Sequence, residues 1–194
     1  MPSVANSDID IAAAALILIG ADPITSFTET STEALVASNI YEDVVQSALC
    51  ASRWRFAANQ AELNRLTDTP TGRYDLAYQL PSDLLMLHAI TVNDNIIEYN
   101  VYGDLVYTNG STTDQVIADY SFRVGTEKFP SYFILALEYS LASAFAVAIA
   151  RDEALGTLLE RKGLQLMQQA KTLDSQQQTT RKLVTSRFIS ERRS

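Results

Sequence analysis

Residues 116–150 read VIADYSFRVGTEKFPSYFILALEYSLASAFAVAIA, and the spacing of their apolar positions changes once, at Phe129-Pro130. Before the proline, Val116, Ala118, Tyr120, Phe122 and Val124 alternate with Asp119, Ser121 and Arg123. That is the two-residue period of a strand with one buried and one wet face. After it, Phe133, Leu137, Leu141, Ala144 and Ala148 recur at intervals of three or four, the period of a helix. Ile134, Phe145, Ala146 and Ile149 occupy its other sides, so this helix is apolar nearly all round and belongs at the centre of a bundle. Its length also suits a bilayer span. Glu138 argues against that, because a carboxylate near mid-membrane costs roughly 2.5 to 3.5 kcal/mol and the many alanines return little. Residues 11–19 are apolar throughout but too few for a hydrocarbon core that needs about 20.

Working outward toward the C-terminus, Asp152-Glu153 open a fourth helix with a narrower stripe: Leu155, Leu158, Leu159, Leu166, Ala170 and Leu173. From Ser175 onward the period lapses. Toward the N-terminus, Asp68-Thr69-Pro70-Thr71-Gly72 mark a second change of period. Between the two changes lie three further alternating runs: Met86, His88, Ile90 and Val92, then Ile97, Tyr99 and Val101, then the short run 105–108. They predict an antiparallel meander. Ahead of them, Ser7 caps a helix over about 8–19 that Gly20 and Pro23 stop. Thr30-x-x-Glu33 reads as a capping box for a second helix, expected to run to about Arg53 with Trp54 and Phe56 closing its apolar face. The expected fold is therefore α+β. Residues 1–69 and 130–174 form a helical bundle, 70–129 an inserted antiparallel β subdomain, and 175–194 a flexible basic C-terminal arm.

Charge follows the same division. Residues 1–174 carry 10 Lys and Arg against 22 Asp and Glu, or −12, while 175–194 carry 5 against 1, or +4. An acidic body does not grip nucleic-acid phosphates. In the arm, Leu183, Val184, Phe188 and Ile189 interleave with Arg181, Lys182 and Arg187, and Arg192 and Arg193 follow. This pattern suits a segment that orders on a partner, since residues 176–180 alone bury too little to offset ordering entropy. The opening MPSVANSDID, with no basic residue, does not read as a secretory signal.

Little here suggests catalysis. One cysteine, Cys50, and one histidine, His88, make Cys-His dyads, zinc clusters and Ser-His-Asp triads poor candidates, and no glycine-rich phosphate loop is present. No cofactor or metal is expected. Of three acid pairs, Asp8/Asp10 and Asp152/Glu153 fall at helix N-termini, where negative charge is favoured regardless of chemistry; the other is Glu42/Asp43, within the second helix. Arg53-Trp54-Arg55-Phe56 mixes cations and aromatics, but a buried Trp54 with arginines reaching solvent is the simpler reading. Nine tyrosines suit protein contact surfaces.

The order of motifs adds a resemblance. Residues 18–27 (LIGADPITSF), Glu33-Ala34, Tyr41, Leu49 and Trp54-Arg55-Phe56-Ala57 are followed by Leu63, Leu66, Pro70, Tyr74, Tyr78 and Leu80-Pro81-x-Asp83. Ala118-Asp119-Tyr120, Phe129-Pro130, Phe133, Ala136-Leu137 and Leu141-Ala142 complete the series. Over about 20–150 this resembles phage tail tubular protein A, the head-to-tail adaptor or gatekeeper family of short-tailed phages. Gly20-x-x-Pro23-Ile24 together with Trp54-x-Phe56-Ala57 is its most specific part. The resemblance implies a non-enzymatic virion structural protein of the tail, assembled in the host cytoplasm. It also implies a ring, a dodecamer in that family, between the portal protein and a tail nozzle like tail tubular protein B. Genomic DNA would slide past its acidic wall without specific binding. Two other classes compete: a virion-associated glycan hydrolase using a carboxylate pair, and a non-viral cytoplasmic interaction module.

Overall fold

Ser7 starts the first helix by reciprocal capping: its hydroxyl accepts from the Asp10 amide, and the Asp10 carboxylate accepts from the Ser7 amide at 2.9 Å. The computed structural model describes residues 7–67, 70 and 72–177. Helix α1 (Asp8–Leu18) ends where Gly20 takes the left-handed conformation, φ 76°, which lets the Gly20 and Ala21 amides close back on the last turn. Helix α2 (Thr32–Cys50) is capped one residue later than the sequence suggested. Ser31, not Thr30, accepts from the Ala34 amide. The helix also stops short of Arg53, because the Trp54 indole donates to the Ala48 carbonyl at 2.8 Å and turns the chain into a short 3-10 segment, Arg55–Ala57.

Helix α3 (Ser131–Phe145) runs on through a π turn, Ala146–Ala150, until Arg151 adopts φ 53° and Asp152 caps α4 (Glu153–Gln176) by accepting from the Leu155 amide. The described stretch Ser131–Ala150 is long and apolar enough to cross a membrane. In this fold it is the hub: α3 packs against α1, α2 and α4, and Phe133, Leu137, Leu141 and Phe145 are fully buried. Helix α4 approaches it closely at Gly156 and Gly163, seven residues apart on one face. A Cβ at Gly163 would sit 3.3 Å from Ser140 Oγ, and one at Gly156 would sit 2.9 Å from Val147 Cγ2.

The strands do not form a meander. They make two four-stranded antiparallel sheets. One has the order β1 (Ala58–Glu62), β8 (Val116–Phe122), β4 (Leu84–Val92), β5 (Asn95–Ile96). The other has the order β2 (Asn64–Arg65), β3 (Leu76–Gln79), β7 (Leu105–Thr108), β6 (Tyr99–Tyr102). Strands β1 and β2 lie within 1–69, the stretch expected to be helical. The β1 sequence, Ala58-Asn59-Gln60-Ala61-Glu62, lacks apolar alternation because β1 is an edge strand largely open to water. The alternation of β8 was legible, but β8 sits between two partners, and its nominally wet face includes Ser121 at 0% exposure.

Two apolar cores result. The larger lies in the helices and takes in Trp54, Val124 and Phe129; the smaller lies in the strands around Tyr78, Ile90, Val106 and Tyr120. Phe122 packs against both.

Candidate functional site

All nine residues expected to make contacts, Arg181, Lys182, Leu183, Val184, Arg187, Phe188, Ile189, Arg192 and Arg193, lie outside the described residues. The remaining sequence candidates resolve into three polar clusters and one groove.

His88 and Ser121 meet. Nε2 lies 2.8 Å from Ser121 Oγ, Arg53 pairs with Asp119 at 3.4 Å, and the Gln60 amide donates to Asp119 at 2.5 Å. A histidine bonded to a serine on a strand that also bears an aspartate invites comparison with a catalytic triad. Three observations oppose it. Ser121 is fully buried, Asp119 is engaged by Arg53 and Gln60 instead of the imidazole, and neither His88 nor Ser121 lines any described cavity. Burial, then the nearby Arg53 charge, lowers the His88 pKa and favours the neutral ring.

The second cluster ties α1 and α2 to the sheet. Arg123, just beyond β8, grips Glu42 with Nε at 2.9 Å and Nη2 at 3.0 Å, and lies over the Phe129 ring. Asp8 accepts from Tyr41 at 3.0 Å and from the Thr126 hydroxyl. The Arg123 hydrogen bond holds the Glu42 carboxyl below its usual range, while burial and the Asp8 charge push the Tyr41 hydroxyl well up. Asp8, Asp10, Glu42 and Asp152 are therefore capping or bridging groups.

The third cluster had no signal in the sequence. Asp174, 4% exposed near the end of α4, accepts from the Arg55 amide at 3.0 Å and the Tyr132 hydroxyl at 2.9 Å, and its carbonyl accepts from Arg55 Nε. Arg53 and Arg55 thus serve structural pairings on either side of Trp54.

Beside α3 lies a groove of about 370 Å³. Helices α2 and α4 flank α3, and the space between them is floored by Ser140 and Ser143 and walled by Val44, Ala48, Leu164 and Met167. Both floor hydroxyls donate to carbonyls of their own helix, Ala136 and Ser140, so the floor is mostly apolar in character. Asp43 and Glu160, both exposed, also line it, one from each flanking helix. Wider clefts of about 960 Å³ and 550 Å³ adjoin the strands. Among the described residues no group of three or more His, Cys, Asp or Glu is placed to hold a metal ion.

Apolar side chains stand exposed on both parts of the chain: Ile96 and Tyr102 in the strands, Leu35, Leu158 and Leu164 on the helices, each with more than half its surface in water. The Tyr74, Tyr107 and Tyr102 rings contact in series. The chain matches no known family's sequence profile and no curated protein sequence.

Proposed function

We propose that the chain is a virion structural protein, an adaptor subunit of a short-tailed phage that assembles into a ring between portal protein and tail nozzle. The observation that carries this reading is where the family-like motifs sit. Trp54, Phe56, Phe129 and Phe133, quoted from two distant motifs, form one aromatic cluster with ring centroids 4.9 to 5.9 Å apart. Ile24 is buried in the same core, and Phe27 packs on Tyr41 of α2. These motif residues thus meet at the corner where the helical core leads into the strands, which supports the reading.

The acidic body and the exposed tyrosine and leucine side chains agree with a channel-lining subunit that contacts neighbours through protein surfaces. In this reading α3 is a core helix, DNA passes without specific binding, and the protein turns over no substrate. A glycan hydrolase needs two carboxylates facing one cleft. Asp43 and Glu160 share the groove, but its walls are apolar and its serine hydroxyls already donate to backbone.

The test is size measurement of the purified protein alone and after mixing with the portal of its phage. A portal-bound ring is the expected product. Failure to bind portal, or reproducible glycan release that Glu160→Gln abolishes without unfolding, overturns the reading.

A further inference from the structure

We propose that the groove between α2 and α4 is the receptor for the chain's own basic arm: residues 181–189 fold back along α4, seat Leu183 and Val184 against Leu164 and Met167, and bring Arg187 to Asp43 and Glu160. This rests on the virion reading only in treating the arm as an interaction element.

Two observations and one general argument converge on it. The first is composition. The groove combines apolar walls with an acidic group from each flanking helix, and Leu164 leaves 61% of its surface in water. The arm supplies the complement, apolar pairs interleaved with cations and a net charge of +4 over residues 175–194.

The second is reach. Asp174 fixes the end of α4 against Arg55 and Tyr132, so the arm departs from a defined point. Counting back from Gln176 at about 1.5 Å per residue, Met167 lies roughly 14 Å and Glu160 roughly 24 Å along the helix. A returning extended chain covers about 3.3 Å per residue, so Leu183 can reach the level of Met167 and Leu164, and Arg187 that of Glu160, with length left for the reversal.

The third is tethering. A segment joined to its receptor by a few residues acts at an effective concentration in the millimolar range. A second copy at micromolar concentration competes poorly, which selects the same chain's arm over a neighbour's. The arm is then latched in the isolated subunit, and a partner that recruits it must first displace it.

The experiment uses the full chain with Phe188 replaced by photoreactive benzoylphenylalanine, mixed one to one as heavy- and light-isotope protein at about 1 µM, far below the tethered concentration. Photolysis should give adducts within one isotope, mapping to residues 160–167 or 43–51. Glu160→Lys with Asp43→Lys should cut the yield roughly fivefold, consistent with two exposed ion pairs. Adding Arg187→Glu should restore much of it. Salt at about 1 M, where the screening length is near 3 Å, should also lower it. Because both acids are exposed, circular dichroism should show the charge variants folded; Leu164→Arg, also at an exposed position, provides a second disruption of the seat. Adducts elsewhere, no adducts, unchanged yield in the folded variants, or mainly mixed-isotope adducts each overturn the latch. Portal binding measured on the same variants scores the virion reading separately.

Discussion

Replacing Trp54 by alanine tests the aromatic corner of the helical core. The indole is fully buried, stands edge-on to Phe133 at 5.0 Å, contacts Phe56 at 5.7 Å, and donates its one N–H to the Ala48 carbonyl at the end of α2. Truncating a buried aromatic costs about 3 to 5 kcal/mol through lost transfer energy and the cavity left behind. Trp54→Phe separates the contributions: it keeps a ring against Phe133 but loses the hydrogen bond and part of the volume, and should cost about 1 to 2 kcal/mol. Urea unfolding followed by circular dichroism measures both, since the only tryptophan is the one removed. A loss below about 1 kcal/mol for Trp54→Ala, at unchanged denaturant slope, would refute the packing argument. Native Trp54 fluorescence should also be blue-shifted and poorly quenched by acrylamide.

Two further outcomes follow from the polar clusters, and a third from Glu138 on α3. Asp174→Ala removes the carboxylate that accepts from the Tyr132 hydroxyl and the Arg55 amide and should cost about 2 to 4 kcal/mol, with faster amide hydrogen exchange in the last turns of α4. Glu42, held below its ordinary 4.5 first by the Arg123 hydrogen bond, contributes stability that is present above that value and lost as pH falls through its folded pKa. Glu42→Gln should therefore flatten the acid limb of a stability-against-pH curve, and an unchanged limb would remove Glu42 from that role. Glu138 has the opposite sign: burial raises its carboxyl, so ionisation destabilises the fold as pH rises, and Glu138→Gln should raise the melting temperature at pH 7 more than at pH 4.

Periodicity revealed the elements that bury a continuous face. Helices α1, α3 and α4 begin where capping groups and prolines said they would, and β8 alternates as a strand must. It could not reveal strand partners. Strand β1 carries Asn59, Gln60 and Glu62 because an edge strand satisfies water on its open sides, so its sequence gives no apolar alternation to detect. The capping box at Thr30 was a near miss, since Ser31 offers the same hydroxyl one residue on. The groove left only a faint trace. Gly156 and Gly163, seven apart, mark a close helix approach, but nothing local states that α2 and α4 diverge over Ser140 and Ser143. Asp174 gave no trace at all, because its partners Arg55 and Tyr132 lie far away in sequence.

The polar groups at the seams, Asp174 buried and Arg123, Glu42 and Asp8 partly exposed, explain how one chain keeps two cores in fixed relation. Apolar packing alone is tolerant of sliding, whereas a charge-assisted hydrogen bond placed at a seam is directional and is lost on displacement, at greatest cost where the charge is buried, as at Asp174. Arg123 with Glu42 joins the end of β8 to α2, Asp8 with Thr126 joins α1 to the linker before α3, and Asp174 with Arg55 joins α4 to the turn that leads into β1. Each connects an element of the helical core to the stretch of chain that enters or leaves the strands. Disrupting one cluster should therefore loosen the relation between the two cores before it unfolds either. The place where that loosening is to be read is Phe122, the side chain packed against both.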